Sequence, residues 1–156
     1  MKPAQDAAVL ERAKSLCNEA CFIVALQHRR LRSTEPEDDV FIFRWWADLQ
    51  FLIVALSRLR RSAQIAQSVV TTSTAIHAAI REFDQALPCL KTMRNIGEHV
   101  ESYAVDDPKR HDKSVGQSQL QVGQWDGTVY VWLGESLNID VAQDAAQKLL
   151  KAVRAC

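Results

Sequence analysis

A run of large apolar residues in the first half of the chain constrains the fold more than any other feature. Between residue 40 and the mid-60s, such residues recur at steps of four, three, four, three and four: Phe41, Trp45, Leu49, Leu52, Leu56 and Leu59. This spacing places them on one face of an α-helix. Ile42, Trp46 and Ile53 widen that face, so we expect more than one element to pack against this helix.

Further helices are predicted on both sides of this central one. Residues 4–32 keep a helical apolar spacing and end in cations, which suit a helix C-terminus. Pro36 and its acidic neighbours predict a loop. Residues 68–74 are predicted to connect the central helix to a third helix, which is predicted over 74–86. A fourth helical segment then starts at Pro88 and runs to about residue 104.

The apolar period changes from helical to alternating near residue 118, which predicts a β-hairpin over about 118–134. Asp126-Gly127 is a typical two-residue hairpin turn, and it would pair Val122 with Val131. We expect the Val/Leu side of the ribbon to pack on the helices.

The opposite side of the hairpin carries three large aromatic residues whose role the sequence leaves open: Trp125, Tyr130 and Trp132. We expect Tyr130 and Trp132 to be half covered. Asp140 is predicted to cap a last helix over about 141–154 that points Val141 and Leu149 inward. The predicted fold is therefore mainly α: residues 1–156 form one domain, an antiparallel bundle of four to five helices with a β-hairpin before the last helix.

Composition excludes several classes of function. The 156 residues carry a formal net charge of zero, so contact with nucleic acid would have to be local rather than driven by a long-range field. The longest apolar stretch is interrupted by Arg44 and Asp48, so no membrane span is expected. The polar start lacks the apolar core of a signal peptide, and a cytoplasmic location is the expectation.

The four cysteines, Cys17, Cys21, Cys89 and Cys156, show no zinc-binding spacing and are expected to act as buried, reduced thiols. The chain also has no glycine-rich phosphate loop. We therefore predict neither a metal nor a cofactor.

The candidate functional residues lie in MRNIGEHVESYA, residues 93–104. On one helix, Asn95, His99 and Tyr103 would form a polar stripe, and Arg94 and Glu98 an adjacent i,i+4 pair. Because Arg94 and His99 are five residues apart, a single helix does not aim both side chains at one point. Two copies of the helix that face each other about a twofold axis would bring them together.

This set of side chains suits metal-independent cleavage of RNA. Histidine exchanges protons near neutral pH, and the arginine fork binds phosphate oxygens. A ribose 2′-hydroxyl would then attack the adjacent phosphate, while arginine stabilises the developing negative charge.

The RNIGEH segment resembles the R-x4-6-H motif of the HEPN superfamily, which are helical proteins that include many prokaryotic ribonucleases of toxin–antitoxin and defence systems. The resemblance implies that Arg94 holds phosphate, that His99 is the acid/base, and that Asn95 supports both. Glu98 and Tyr103 are further candidate binding residues. The family further implies a homodimer that shares one cleft, an RNA substrate and an antitoxin protein as partner.

The alternative interpretation is a non-catalytic helical interaction or ligand-binding module, in which residues 94–103 are a solvent-facing helix surface. Two basic clusters, residues 28–32 and 58–61, are expected at opposite ends of the first two helices. Such clusters are either solvated surfaces or phosphate contacts.

Overall fold

The computed structural model describes residues 3–69 and 71–156. The predictions that fall on residues 1 and 2, and on Val70 of the predicted 68–74 connection, lie outside the described residues. Helices account for 68% of the structure, which confirms the mainly α prediction. The described α-helices are α1 Pro3–Arg32, α2 Arg44–Gln67, α3 Ser73–Ala86, α4 Leu90–Glu98, α5 Val100–Ala104 and α6 Ile139–Arg154. The described strands are β1 Gln124–Trp125, β2 Val129–Trp132 and β3 Glu135–Asn138.

Helix α2 is the centre of the bundle and packs against α1, α3, α4 and α6. Leu49, Leu52, Leu56 and Leu59 are completely buried on it, as the apolar spacing predicts. Helix α2 runs antiparallel to α1, since Cys17 of α1 lies beside Leu59 and the later Arg30 lies beside the earlier Asp48. Every neighbour of α2 therefore covers part of one continuous core.

The prediction that α2 starts near residue 40 is wrong. The helix begins at Arg44, and Phe41 and Ile42 are exposed rather than part of the core-facing seam. The physical reason is the guanidinium of Arg44, which donates to the carbonyls of Arg30 and Ser33 at 3.0 and 2.9 Å. These bonds hold the end of α1 against the first turn of α2, and residues 40–43 remain outside the helix.

The predicted hairpin is part of a three-stranded antiparallel sheet, β1-β2-β3. Asp126-Gly127 does not form a two-residue turn. Trp125 pairs with Tyr130 and Gln124 with Val131, so the register differs from the predicted one by two residues. The reason is the carboxylate of Asp126, which accepts hydrogen bonds from the backbone N–H groups of Thr128 and Val129 at 2.8 and 2.7 Å and closes a longer loop.

The two-residue turn lies instead at Leu133-Gly134, where both residues have positive φ, 59° and 75°. This turn joins β2 to β3, a strand that the sequence did not predict. Strand β3 leads into α6, whose N-cap is Asn138 rather than Asp140. The Asn138 side chain accepts hydrogen bonds from the N–H groups of Asp140 and Val141. The prediction that Val141 points inward is also wrong, since its side chain is exposed.

The aromatic side of the sheet faces the helices, which is the reverse of the prediction. Tyr130 and Trp132 are buried, whereas Val131 on the other side is 42% exposed. Aromatic rings bury more apolar area than valine, and here the polar end of Tyr130 is also satisfied. Its hydroxyl donates to the carbonyl of Val122 at 2.8 Å, and its ring meets Trp45 edge to face at 6.4 Å.

Gly123 makes this aromatic packing possible, and Gly123→Ala is expected to lower the free energy of unfolding by about 3 kcal/mol. Its φ is +85°, and an added Cβ would lie 2.7 Å from the carbonyl oxygen of Val131 and 2.8 Å from the Tyr130 ring. Gly134→Ala is the matched control, because its φ is also positive but an added Cβ meets nothing within 4 Å. Urea unfolding of both variants measures the difference, and equal losses would contradict the close approach.

Candidate functional site

The segment predicted as one helix over 88–104 is two helices that meet at His99. Helix α4 ends at Glu98, α5 begins at Val100, and His99 itself has non-helical dihedrals, φ −127° and ψ 33°. Gly97 lies just before the break and has low helix propensity. The break changes the direction in which residues after 99 point.

As a result, the predicted polar stripe of Asn95, His99 and Tyr103 does not form. Tyr103 is only 1% exposed and belongs to the core. Its hydroxyl accepts a hydrogen bond from the N–H of Asp112 at 3.0 Å, which anchors the loop after α5. The geometry gives Tyr103 a structural role, and its predicted role in binding stays a prediction.

Arg94 forms the expected i,i+4 ion pair with Glu98, at 2.5 Å. Glu98 also lies 3.7 Å from Arg61 of α2. The hydrogen bond from Arg94 is the main reason that the pKa of Glu98 is below its usual range, and the charge of Arg61 adds to it. Glu98 is therefore ionised at neutral pH and joins the last turn of α4 to α2.

Arg94 also lines a cleft of about 420 Å³ between α2 and the start of α4. Three more cations line the same cleft: Arg60, Arg61 and Lys91. Asp84 is the one carboxylate among the lining residues, and it binds Arg60 through two bonds of 2.6 Å. Glu98 lies outside the lining but pairs with Arg94 and Arg61, so two carboxylates offset the four cations. The cleft keeps an excess of positive charge and favours anions.

The basic cluster at residues 58–61 therefore lies next to Arg94 of the candidate motif in the folded chain. Sequence reasoning identified both groups but missed their proximity, since that depends on how α4 packs along α2. Ser57 also lines the cleft and was not singled out. Its only signal in the sequence is its position one turn before Arg60 and Arg61.

His99 and Asn95 lie away from this cleft. His99 has a side chain that is 60% exposed and lies 3.7 Å from the carboxylate of Glu101. Asn95 lines a separate cavity of about 230 Å³, together with Tyr103 and His111. Within one chain, Arg94, Asn95 and His99 therefore do not point at a common site. This agrees with the expectation that one helix does not aim Arg94 and His99, five residues apart, at the same point.

The first basic cluster has a structural contact. His28 and Arg32, at the end of α1, both bind the carboxylate of Asp140 at the start of α6. This pairing holds α1 to α6 and lowers the pKa of Asp140, chiefly through the hydrogen bond from Arg32.

In the part of the chain that the structure describes, no feature indicates a metal site or a membrane-spanning helix. No group of three potential ligands there could hold a metal ion. None of the described helices is long and apolar enough to cross a membrane. Cys17, Cys21 and Cys89 are buried as free thiols, and burial raises the pKa of Cys17 to about 12 and that of Cys89 to about 11.

Comparison with known proteins identifies no relative, since no family model, curated protein or solved structure matches this chain.

Proposed function

We propose that this chain is a HEPN-like, metal-independent endoribonuclease of a toxin–antitoxin or defence system. The observation that carries the proposal is the basic cleft around Arg94. Four cationic side chains gather there within one concave surface and outnumber the two carboxylates that pair with them, Asp84 and Glu98. This is the local positive charge that a protein of zero net charge needs to hold an RNA backbone. RNA and an antitoxin protein are the proposed partners.

Each motif residue takes a defined role in this proposal. Arg94 and its neighbours in the cleft hold the phosphate, and a guanidinium stabilises the charge that develops on it. His99, exposed at the end of the same helix, takes the proton from the 2′-hydroxyl or gives one to the leaving oxygen. Asn95 supports the site. Because Arg94 and His99 diverge within one chain, the reaction requires His99 from a second copy.

The test is cleavage of single-stranded RNA in EDTA by the wild type and by His99→Ala. We expect wild-type cleavage and a loss of about 100-fold or more in the variant, since removal of a general acid/base commonly costs 10²–10⁴ in rate. His77→Ala is the matched control, because His77 is an exposed histidine on α3. Equal, background-level cleavage by wild type and His99→Ala would reject the ribonuclease proposal.

A non-catalytic interaction module is the second candidate, and a separate observation favours it. Several large apolar side chains are exposed on α1 and α2, including Phe22 and Phe51. Exposed apolar residues of this size commonly mark a protein–protein interface where they lie together. Under this candidate, the chain binds a partner and cleaves no RNA under any condition.

A further inference from the structure

The cavity lined by Asn95, here called the side cavity, adjoins the basic cleft along the exposed side of α4. Lys91 lines both spaces, so its side chain lies at the boundary between them. Arg94 lines only the cleft, whereas Asn95, one turn after Lys91, lines only the side cavity. Because the two spaces share Lys91, a nucleotide with its phosphate in the cleft has the side cavity beside it.

The side cavity has the size and the lining of a pocket for one planar polar group. Its volume is about 230 Å³, which is less than the roughly 300–1,000 Å³ of typical small-molecule pockets. Ile96 and Tyr103, both 1% exposed, supply an apolar wall. Three side chains that form hydrogen bonds complete this part of the lining: Thr92, Asn95 and Asp112. The space therefore suits a polar ring rather than a whole nucleotide.

The loop that forms the outer wall of the side cavity is fixed by its own hydrogen bonds. The N–H of Asp112 donates to the hydroxyl of Tyr103 at 3.0 Å, and the N–H of Asp107 donates to the carbonyl of Ser102 at 2.8 Å. Val115, at the end of the loop, is 4% exposed and belongs to the core. The wall is therefore preorganised, which lowers the entropy cost of binding.

The carboxylate of Asp112 has one oxygen that is occupied and one that is free. Its Oδ1 accepts hydrogen bonds from the N–H and the hydroxyl of Ser114 at 2.9 and 2.6 Å. Within residues 3–69 and 71–156, no donor binds its Oδ2. The hydrogen bonds from Ser114 are the main reason that the pKa of Asp112 is below its usual range, so the group is ionised at neutral pH. Asp112 thus offers a charged acceptor at the side cavity.

We propose that the side cavity binds a nucleobase that carries an exocyclic amino group, while the basic cleft holds an adjoining phosphate. Asp112 accepts a hydrogen bond from the amino group, as carboxylates do from N4 of cytosine. Asn95 pairs with the neighbouring ring atoms, and the exposed imidazole of His111, which also lines the cavity, stacks on the face of the base. The inference rests on the proposed function for RNA as the source of the base.

The charge of Asp112 selects between the two pyrimidines of RNA. Cytosine and uracil differ at ring atom C4, where cytosine has an amino donor and uracil has a carbonyl acceptor. The carboxylate pairs with the first and repels the second. We therefore expect the side cavity to prefer cytosine to uracil.

The test is the binding of fluorescently labelled tetranucleotides of deoxycytidine or deoxyuridine, measured by anisotropy in EDTA. These probes lack the 2′-hydroxyl, so the proposed reaction does not cleave them. We expect the wild type to bind the deoxycytidine probe about fivefold more tightly or better, the lower limit for one good pair between a side chain and a base. Equal affinity for the two probes, or binding of neither, overturns the inference.

Asp112→Asn should reverse the preference between the two probes. Because the N–H of Ser114 donates to Oδ1, the amide keeps its carbonyl there and places its NH₂ group at the position of Oδ2. A donor then faces the base, which suits uracil. Asp107→Asn is the matched control, because Asp107 accepts from the N–H of Lys109 at 2.7 Å in the same loop but does not line the side cavity. An Asp112→Asn protein that still prefers deoxycytidine contradicts the proposed pairing.

His111→Ala measures the stacking contact separately. It should lower the affinity for both probes by about fivefold without changing their ratio, a typical effect of removing one side chain that stacks on a base. His77→Ala, the exposed histidine on α3, should change neither affinity. An unchanged affinity in His111→Ala would show that this imidazole does not contact the base.

RNA cleavage by the same wild-type protein separates this inference from the proposed function. A protein that prefers the deoxycytidine probe but does not cleave RNA retains the base pocket and rejects the ribonuclease. A protein that cleaves RNA but binds both probes equally rejects the base pocket alone.

Discussion

Asp48→Ala is expected to lower the free energy of unfolding by about 3–5 kcal/mol, the range that follows from removing one partner of a buried ion pair. The Asp48 side chain is 6% exposed and accepts hydrogen bonds from Arg30 at 3.0 Å and from Arg44 at 2.7 Å. The Arg44 side chain is itself only 10% exposed. Loss of the carboxylate removes the buried acceptor of both arginines, and leaves Arg44 with only the more exposed Asp38 as a carboxylate partner.

The loss would not remain local to one pair. Arg30 also binds Glu37, and Arg44 also binds Asp38, whose pKa is lowered mainly by that hydrogen bond. The network therefore fixes the connection between α1 and α2. Asp144→Ala is the matched control, because Asp144 also forms an i,i+4 pair, with Lys148, but both side chains are mostly exposed. That pair should contribute a few tenths of a kcal/mol.

Urea unfolding followed by circular dichroism measures both losses. Asp48→Asn distinguishes charge from packing, since the amide keeps the shape but cannot neutralise Arg44. We expect it to lose most of what Asp48→Ala loses. If Asp48→Ala and Asp144→Ala lower the free energy of unfolding by the same small amount, the network stabilises the fold no more than a surface ion pair does.

The helices of this chain were predictable because their apolar spacing is long and regular. The predicted bounds 4–32 and 74–86 fall within one residue of α1 and α3. The start of α2 was not predictable from spacing, because Phe41 continues the apolar period while Arg44 determines where the helix begins. The latter effect depends on carbonyls of Arg30 and Ser33, which are distant in sequence.

The sheet shows a second limit of prediction from sequence. Asp126-Gly127 has the chemistry of a tight turn, whereas Leu133-Gly134 forms one with a leucine at positive φ, which propensity disfavours. The second strand pair, β2 with β3, supplies four residue pairs that fix the register around the less favourable turn. Local turn preference therefore yields to the larger number of pairings and to the burial of Tyr130 and Trp132.

The candidate site was predictable only as separate pieces. The sequence identified Arg94 and His99 as candidates. It also correctly indicated that one helix does not aim two side chains five residues apart at the same point. It did not predict the break at His99 or the position of Arg60 and Arg61 beside Arg94. Both depend on tertiary packing, because α4 must fit along α2 and Tyr103 must enter the core.

Mixing two inactive variants is expected to restore RNA cleavage. In the proposed dimer, each active centre takes Arg94 from one subunit and His99 from the other. Arg94→Ala and His99→Ala proteins should each lose about 100-fold or more in rate. A heterodimer of the two has one centre without either group and one centre with both. Random exchange of subunits makes about half of all dimers mixed, so the mixture should recover about one quarter of wild-type activity.

The controls separate the arrangement of the site from the activity itself. His99→Ala mixed with itself should stay inactive. If the wild type cleaves RNA and both single variants do not, but their mixture stays inactive after subunit exchange, each chain carries a complete centre. In that case, Arg94 and His99 must approach each other within one subunit by a movement of the α4–α5 junction.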